Sequence, residues 1–226
     1  MIGLLKRLAD NSNPASLAVR LRRRRFEFFV GLLETLPAPV RILDVGGTPL
    51  FWSTMPDSGR ERLRITLVNL TRASVGGGHV ESVVGDATDL SMFQAGEFDV
   101  VFSNSVIEHL GTFEAQVRMA NEVRRVGRRY FIQTPNLYFP LEPHFLVPGF
   151  QFFPMRVRAW LVSRFNVGWY QRIPDVELAR AEVESVRLLS RAGLRRLFPE
   201  ALIYEERFGG MVKSFVAYHG WATRRS

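Results

Sequence analysis

Four short apolar runs in this chain each end on a side chain that can hydrogen-bond a ligand. Val40 to Val45 carries Asp44 near its carboxyl end and runs straight into Gly46-Gly47. Arg64 to Asn69 closes on Asn69 with Leu70 beside it, and His79 to Val84 closes on Gly85-Asp86-Ala87. Phe98 to Ser103 closes on Asn104 and leads on to Glu108-His109. Glycine permits a positive φ and lets a ligand approach the main chain with no Cβ in the way. Such residues at the carboxyl ends of parallel strands offer the chemistry of a nucleotide-like cofactor site. Two of the four histidines stand near it in the chain: His109 just past the fourth run, and His144 on a later aromatic segment. Imidazole has the unperturbed pKa closest to neutrality, so both are candidate general bases for a hydroxyl acceptor. Glu108 and Glu142 read as orienting or capping groups. No compact cluster of Asp, Glu and His stands out beyond the strand-end set, so no metal site is expected.

These side chains need a sheet to hold them. The runs have strand length, are bounded by turn residues, and are separated by segments of helical spacing, which predicts parallel strands buried on both faces. Arg129 to Thr134 reads as a fifth strand. Val183 to Leu197 reads as one helix, followed by strands over Ala201–Arg207 and Val212–Tyr218, with a hairpin turn at Gly209-Gly210. Ahead of the sheet, a basic amphipathic helical region occupies residues 1–37, with its helix from about Pro14 to Leu36. Leu17, Leu21, Phe28, Leu32 and Leu36 form its apolar face, opposite Arg20, Arg23, Glu27 and Glu34. Arg22 and Arg25 spoil the apolar half and are expected to snorkel.

With these segments in view, the sequence resembles the class I S-adenosylmethionine-dependent methyltransferases, in their type-11-like small-molecule branch. The resemblance is carried by Ile42-Leu-Asp-Val-Gly-Gly47, by Val84-Gly-Asp-Ala-Thr-Asp-Leu90 and by Phe98 through Leu110, with Ser190-Arg-Ala-Gly-Leu194 further on. It covers roughly residues 38–136 and 185–220. It implies a doubly wound, Rossmann-like α/β fold: a mostly parallel seven-stranded sheet with a terminal antiparallel hairpin, spanning residues 38–226. It also implies S-adenosyl-L-methionine as cofactor. The glycine turn (Asp44, Gly46, Gly47) would wrap the methionine part, and Asn69 with Leu70 would meet the ribose. Asp86 with Ala87 would meet the adenine, and Asn104 would complete the crevice. Two departures stand out. Thr48 and Pro49 follow the glycine pair where the family often has another glycine, and Asn69 replaces the second-strand acid.

The composition excludes several classes. With no cysteine there is no disulfide framework, thiolate nucleophile or sulfur-ligated metal. No apolar stretch is long enough to span a bilayer and no secretory signal is read, so a cytoplasmic chain is expected. The net charge of +8 is nearly all arginine, densest at Arg20–Arg25. No nucleic-acid recognition motif accompanies it, so a solvated helix face is the first reading. A peripheral contact with the anionic inner membrane surface is the second.

Ten aromatic residues lie between Tyr138 and Tyr170, interleaved with Arg156, Arg158 and Arg164. This segment, about 137–175, reads as a lid inserted after the fifth strand that selects the acceptor. Its Thr-Pro-Asn and Glu-Pro-His pattern resembles methyltransferases of bacterial glycan, glycolipid or secondary-metabolite clusters. The reading that results is an O-methyltransferase of a small or amphiphilic acceptor, with His109 and His144 as its catalytic candidates. Two alternatives stay open: an NAD(P)-dependent oxidoreductase or epimerase on a similar sheet, and a non-catalytic methyltransferase-like binding module.

Overall fold

Most of the apolar runs form strands with a neighbour on both edges and a hydrophobic layer on both faces, while the run ending at Val84 lies at the sheet edge and is only partly buried. The computed structural model describes residues 17–53, 60–76 and 78–221. The strands are β1 (Val40–Val45), β2 (Leu63–Asn69), β3 (Val80–Val84), β4 (Val100–Asn104), β5 (Tyr130–Pro135), β6 (Leu202–Phe208) and β7 (Met211–His219). They make one sheet in the order β3-β2-β1-β4-β5-β7-β6, in which β7 alone runs against its neighbours. The doubly wound sheet and its antiparallel hairpin are as expected. Gly209 and Gly210 both take positive φ, of 56° and 80°, at the hairpin turn, which suits the twist of the two strands. The chain order reverses between β1 and β4, so the ligand crevice opens above their carboxyl ends.

Successive residues of a strand point to opposite faces, and both faces here are covered. On one face Leu43, Val45, Val101, Tyr130 and Ile132 pack with Met119, Val123, Leu194 and Phe198. Those partners come from α3 (Phe113–Val126), from α6 (Arg191–Leu197) and from the residue just after it. On the other face Ile42, Val100, Phe102, Phe131 and Val216 meet Phe26, Phe29 and Leu33 of α1 (Leu17–Leu33). The Phe29 ring lies 4.7 Å from Phe102 and 4.9 Å from Phe131.

The buried stripe of α1 is therefore not the expected one. Phe26, Phe29, Leu33 and the following Leu36 are buried, whereas Phe28 and Leu32 are only half-buried. The helix start expected at Pro14, and the side chains of Leu17, Arg20 and Leu21, lie outside what the structure describes. Arg25 does not snorkel. It is buried and ion-paired to Glu206 at 2.8 Å, because the β6–β7 hairpin brings a carboxylate to it. Arg23 pairs with Glu27 in solvent at 3.1 Å. Among the described residues, no helix is long and apolar enough to cross a membrane.

The helix expected over Val183–Leu197 is two. Helix α5 (Val176–Ser185) ends and the backbone extends, so that the Leu189 carbonyl accepts from the Leu137 N–H at 3.0 Å. Ser190 then caps α6 by accepting from the Gly193 N–H at 3.0 Å, which satisfies one of the new helix's free donors. Together, α5 and α4 (Met155–Arg164) enclose a satellite core of Phe145, Phe150, Val162, Val167, Ala179 and Val183. Part of the aromatic segment is thus structural. Tyr138, Phe152, Trp160, Phe165 and Trp169 are exposed on its outside.

Candidate functional site

Asp44 ends β1 almost wholly buried, and its Oδ2 accepts from the Trp52 indole N–H at 2.7 Å. Trp52 stands on α2 (Pro49–Ser53), directly after the glycine turn. Burial raises the Asp44 carboxyl to about 7, and the Trp52 hydrogen bond only partly opposes this. A buried carboxyl with one donor and no cation beside it resists ionising. Gly46 has φ 77°, and a Cβ there would collide with Val106. A Cβ at Gly47 would overlap the Asp44 carboxylate itself. The turn therefore needs both glycines, the first for conformation and space, the second for space alone.

Of the other strand-end residues, Asn69 is tied directly to this turn. Asn69 donates through its side-chain amide to the Gly47 carbonyl at 2.9 Å, tying the ends of β2 and β1 together. Leu70 beside it is exposed. Asp86 is exposed and accepts from the Thr88 N–H at 2.7 Å, a turn closed on itself, while Ala87 leans on the core. Asn104 accepts through its side-chain oxygen from Arg25, so this crevice position is fastened to α1. Val106, which crowds Gly46, opens the 3-10 turn Ile107–Leu110 that carries Glu108 and His109. The glycine turn and the histidine turn are thus in contact.

His109 and His144, 35 residues apart in the chain, meet with their Nε2 atoms 3.2 Å apart. Glu142 accepts from His144 Nδ1 at 2.6 Å, and its other oxygen accepts from the N–H groups of His144 and Phe145 at 2.8 and 2.6 Å. Glu142 thus fixes the proton of His144 on Nδ1 and turns Nε2 toward His109. Burial works against charging the His144 ring, but the Glu142 hydrogen bond and charge, with Glu108 behind them, outweigh it and hold the ring above the ordinary histidine range. His109 goes the other way. The surrounding protein and then the charge on His144 lower it to about 4, so it is neutral at pH 7 even though its outer edge is exposed. Glu108 is fully buried, takes a hydrogen bond from Thr134 at 3.0 Å, and is pushed by burial to about 7.

Sequence reasoning found His109 and His144 separately and expected no compact ligating cluster. The fold assembles one from Glu108, His109 and His144. Trp52 and Glu206 were missed altogether, whereas Arg25 and Thr134 were noted only as a surface cation and a strand end. Each acts through a partner on another element. His79 and His219 lie elsewhere, against Arg64 and the Glu200 carbonyl. Beside Glu142, a cavity of about 490 Å³ runs along the segment after β5, lined by Leu137, Phe145, Phe150, Met155 and Val183, with Arg158, Arg187, Glu184 and Gln151 as polar members. Arg158 Nε and Gln151 Oε1 are buried without protein partners.

Residues 43–130 match a protein-family model described as a methyltransferase domain. An uncharacterized protein of Mycobacterium tuberculosis is 31% identical over 129 residues, which is 52% of this chain and 43% of that protein. The match therefore spans under half the length of that relative. Among solved structures, an S-adenosylmethionine-dependent methyltransferase from Methanosarcina mazei superposes with a TM-score of 0.51 at 13% identity, over 82% of this chain and 93% of its own. Magnesium protoporphyrin IX methyltransferase from Synechocystis, with S-adenosylhomocysteine bound, gives 0.54 at 11% identity, over 96% and 92%. At these identities the likeness is one of fold.

Proposed function

We propose that this chain, whose residues 43–130 match a family model described as a methyltransferase domain, transfers the methyl group of S-adenosylmethionine to an oxygen of a small or amphiphilic acceptor. The observation that carries this reading is the contact between two turns. The Gly46-Gly47 turn, the cofactor element of the family, touches through Val106 the turn that bears Glu108 and His109. A donor and a proton-handling group are thereby adjacent, and methyl transfer from a sulfonium asks mainly for alignment and exclusion of water.

The cofactor, held at Asp44, Gly46 and Gly47, would supply an electrophilic methyl group for the acceptor oxygen and its own neutral thioether leaving group, so that the chain's residues have chiefly to handle the acceptor's proton. The hydroxyl proton passes to neutral His109. As His109 takes it, its Nε2 proton moves to His144 Nε2, leaving an imidazolium that Glu142 holds. The raised pKa of His144 favours that resting place. The cavity beside Glu142 mixes an apolar wall of Leu137, Phe145, Phe150 and Val183 with Arg158, Arg187 and Gln151, a lining that suits an amphiphilic acceptor. In this reading Asp44, Gly46 and Gly47 hold the methionine part, Asn69 and Leu70 the ribose edge, and Asp86 and Ala87 the adenine. Asn104 shapes the crevice from the β4 side.

Calorimetry with S-adenosylhomocysteine and with NAD tests the cofactor, with the former expected to bind in the micromolar range, about −8 kcal/mol. His109→Ala should abolish methyl transfer to a hydroxylated amphiphile yet leave that binding in place. Binding of NAD with no heat from S-adenosylhomocysteine would transfer the chain to the oxidoreductase reading. Cofactor binding without turnover across a panel of hydroxyl acceptors would favour the binding-module reading.

A further inference from the structure

The polar inventory around the histidine pair does not close. Glu108 Oε2 accepts from Thr134, but Oε1 is buried with no partner. The two imidazoles point Nε2 at Nε2, so only one of them can donate in that contact and the other must supply a lone pair. One ligating atom each from Glu108, His109 and His144 lies within 4.8 Å of the other two, the only such group of three among the described residues.

We propose that Glu108, His109 and His144 form a binding site for a divalent first-row transition cation, with Zn²⁺ and Mn²⁺ as its test ions, beside the methyl-donor turn. The inference rests on the reading above, in which this cluster faces the acceptor. Two imidazoles and one carboxylate are the three-ligand set that leaves open positions for an oxygen ligand. Imidazole donors favour first-row transition ions over Mg²⁺ and Ca²⁺, with Zn²⁺ held more tightly than Mn²⁺. Glu142 behind His144 is the carboxylate that fixes a ligating imidazole's tautomer and directs its free nitrogen outward. An imidazole–imidazole hydrogen bond alone satisfies the two rings but leaves Glu108 Oε1 unpaired, whereas one ion engages all three residues. Bonds of about 2.1 Å keep ligand atoms within about 4.2 Å of one another. The three ligand atoms, all within 4.8 Å of one another, therefore stand close to the spacing that one ion imposes.

Such an ion changes the division of labour. In the metal-free protein the histidine pair takes the acceptor's proton. In the loaded protein the imidazoles are ligands, and an acceptor hydroxyl at an open position is acidified by the ion and loses its proton to water. The acceptor class that follows is one with a hydroxyl able to reach the ion while its apolar body lies in the cavity beside Glu142.

The test is calorimetric titration of the EDTA-stripped full chain with Zn²⁺, Mn²⁺ and Mg²⁺, and separately with S-adenosylhomocysteine. One ion per chain is expected, in the micromolar range or tighter for Zn²⁺ or Mn²⁺ (about −8 kcal/mol). His109→Ala should weaken it at least about tenfold, and Glu142→Gln about 10- to 100-fold. His79→Ala should change nothing, and S-adenosylhomocysteine affinity should move less than about threefold in the His109 variant. The proposal is overturned if neither ion gives heat at about 100 µM (about −5.5 kcal/mol), if His109→Ala leaves the affinity unchanged, or if Mg²⁺ binds as tightly as Zn²⁺. Those failures with S-adenosylhomocysteine still bound leave the methyltransferase reading standing. His109-dependent metal binding without any S-adenosylhomocysteine binding sustains the site and removes that reading.

Discussion

Protonated Asp44 should make cofactor binding depend on pH. Its carboxyl is buried at the floor of the glycine turn and raised to about 7. The cofactor's methionine part brings an ammonium group to that turn in the proposed mode, and an ammonium beside Asp44 favours the ionised form. Binding then releases a proton wherever the free protein holds one. For a group at about 7, roughly 3% is ionised at pH 5.5 and about 90% at pH 8.0, so S-adenosylhomocysteine should bind about 30-fold more weakly at the lower pH. That corresponds to about 2 kcal/mol. Isothermal titration at both pH values, in two buffers of different ionisation enthalpy, reads the affinity and the proton release together. Asp44→Asn should bind weakly and lose most of the pH dependence. An affinity that changes less than about threefold over this range, or an Asp44→Asn protein that keeps the wild-type slope, refutes the assignment of Asp44 to the cofactor.

Three further outcomes follow from the contacts. Glu206→Gln should destabilise the fold by about 3–5 kcal/mol in denaturant titration, because it leaves Arg25 buried without its counter-charge, with only the neutral Asn104 still accepting from it; a loss below about 1 kcal/mol would mean that water reaches this pair. Gly47→Ala should weaken S-adenosylhomocysteine at least about tenfold with the circular dichroism unchanged, since the new methyl displaces the Asp44 carboxylate without requiring a new backbone conformation; full affinity would show that the turn relaxes freely. In the metal-stripped enzyme, kcat/KM should rise with pH as His144 loses its proton, at a value above the ordinary histidine range. Glu142→Gln should move that limb to lower pH while reducing kcat, and an unmoved limb would take His144 out of the proton path.

What could be read in the sequence was what depends on neighbours in the chain. The apolar runs of β1, β2, β4 and β5, the Gly46-Gly47 turn and the Gly209-Gly210 hairpin each declare themselves within a few residues. The buried face of α1 did not, because Arg25 looks like a surface residue until Glu206, 181 positions away, is brought to it. The break at Val186–Ser190 was hidden for a similar reason. Leu189 leaves the helix to pair with Leu137, a preference no local propensity records. His109 and His144 were each found by residue type. Their meeting, and the buried Glu108 beside them, depend on the lid folding back onto the end of β5, which spacing along the chain does not encode. Asp86 and Leu70 show the converse: both could be picked out from the sequence, yet both are exposed, and Asp86 bonds only within its own turn.

The two halves of the site share one electrostatic theme. Asp44 and Glu108 are both fully buried carboxyls raised to about 7, and they lie on the two turns that Val106 joins. Neither has a cationic side chain hydrogen-bonded to it, although Arg25 and Glu206 show that this fold can supply such a partner for a buried carboxylate. Keeping a carboxyl dry and without a counterion costs stability as the pH rises through its folded pKa. A protein under selection for stability alone would replace either group with an amide or an apolar residue. In the proposed modes, cations offset this cost: the cofactor's ammonium at Asp44, and the His144 imidazolium or a metal ion at Glu108. Loading one side should therefore be felt on the other, because the charge set down at Asp44 lies one packed valine away from the turn that carries Glu108 and His109.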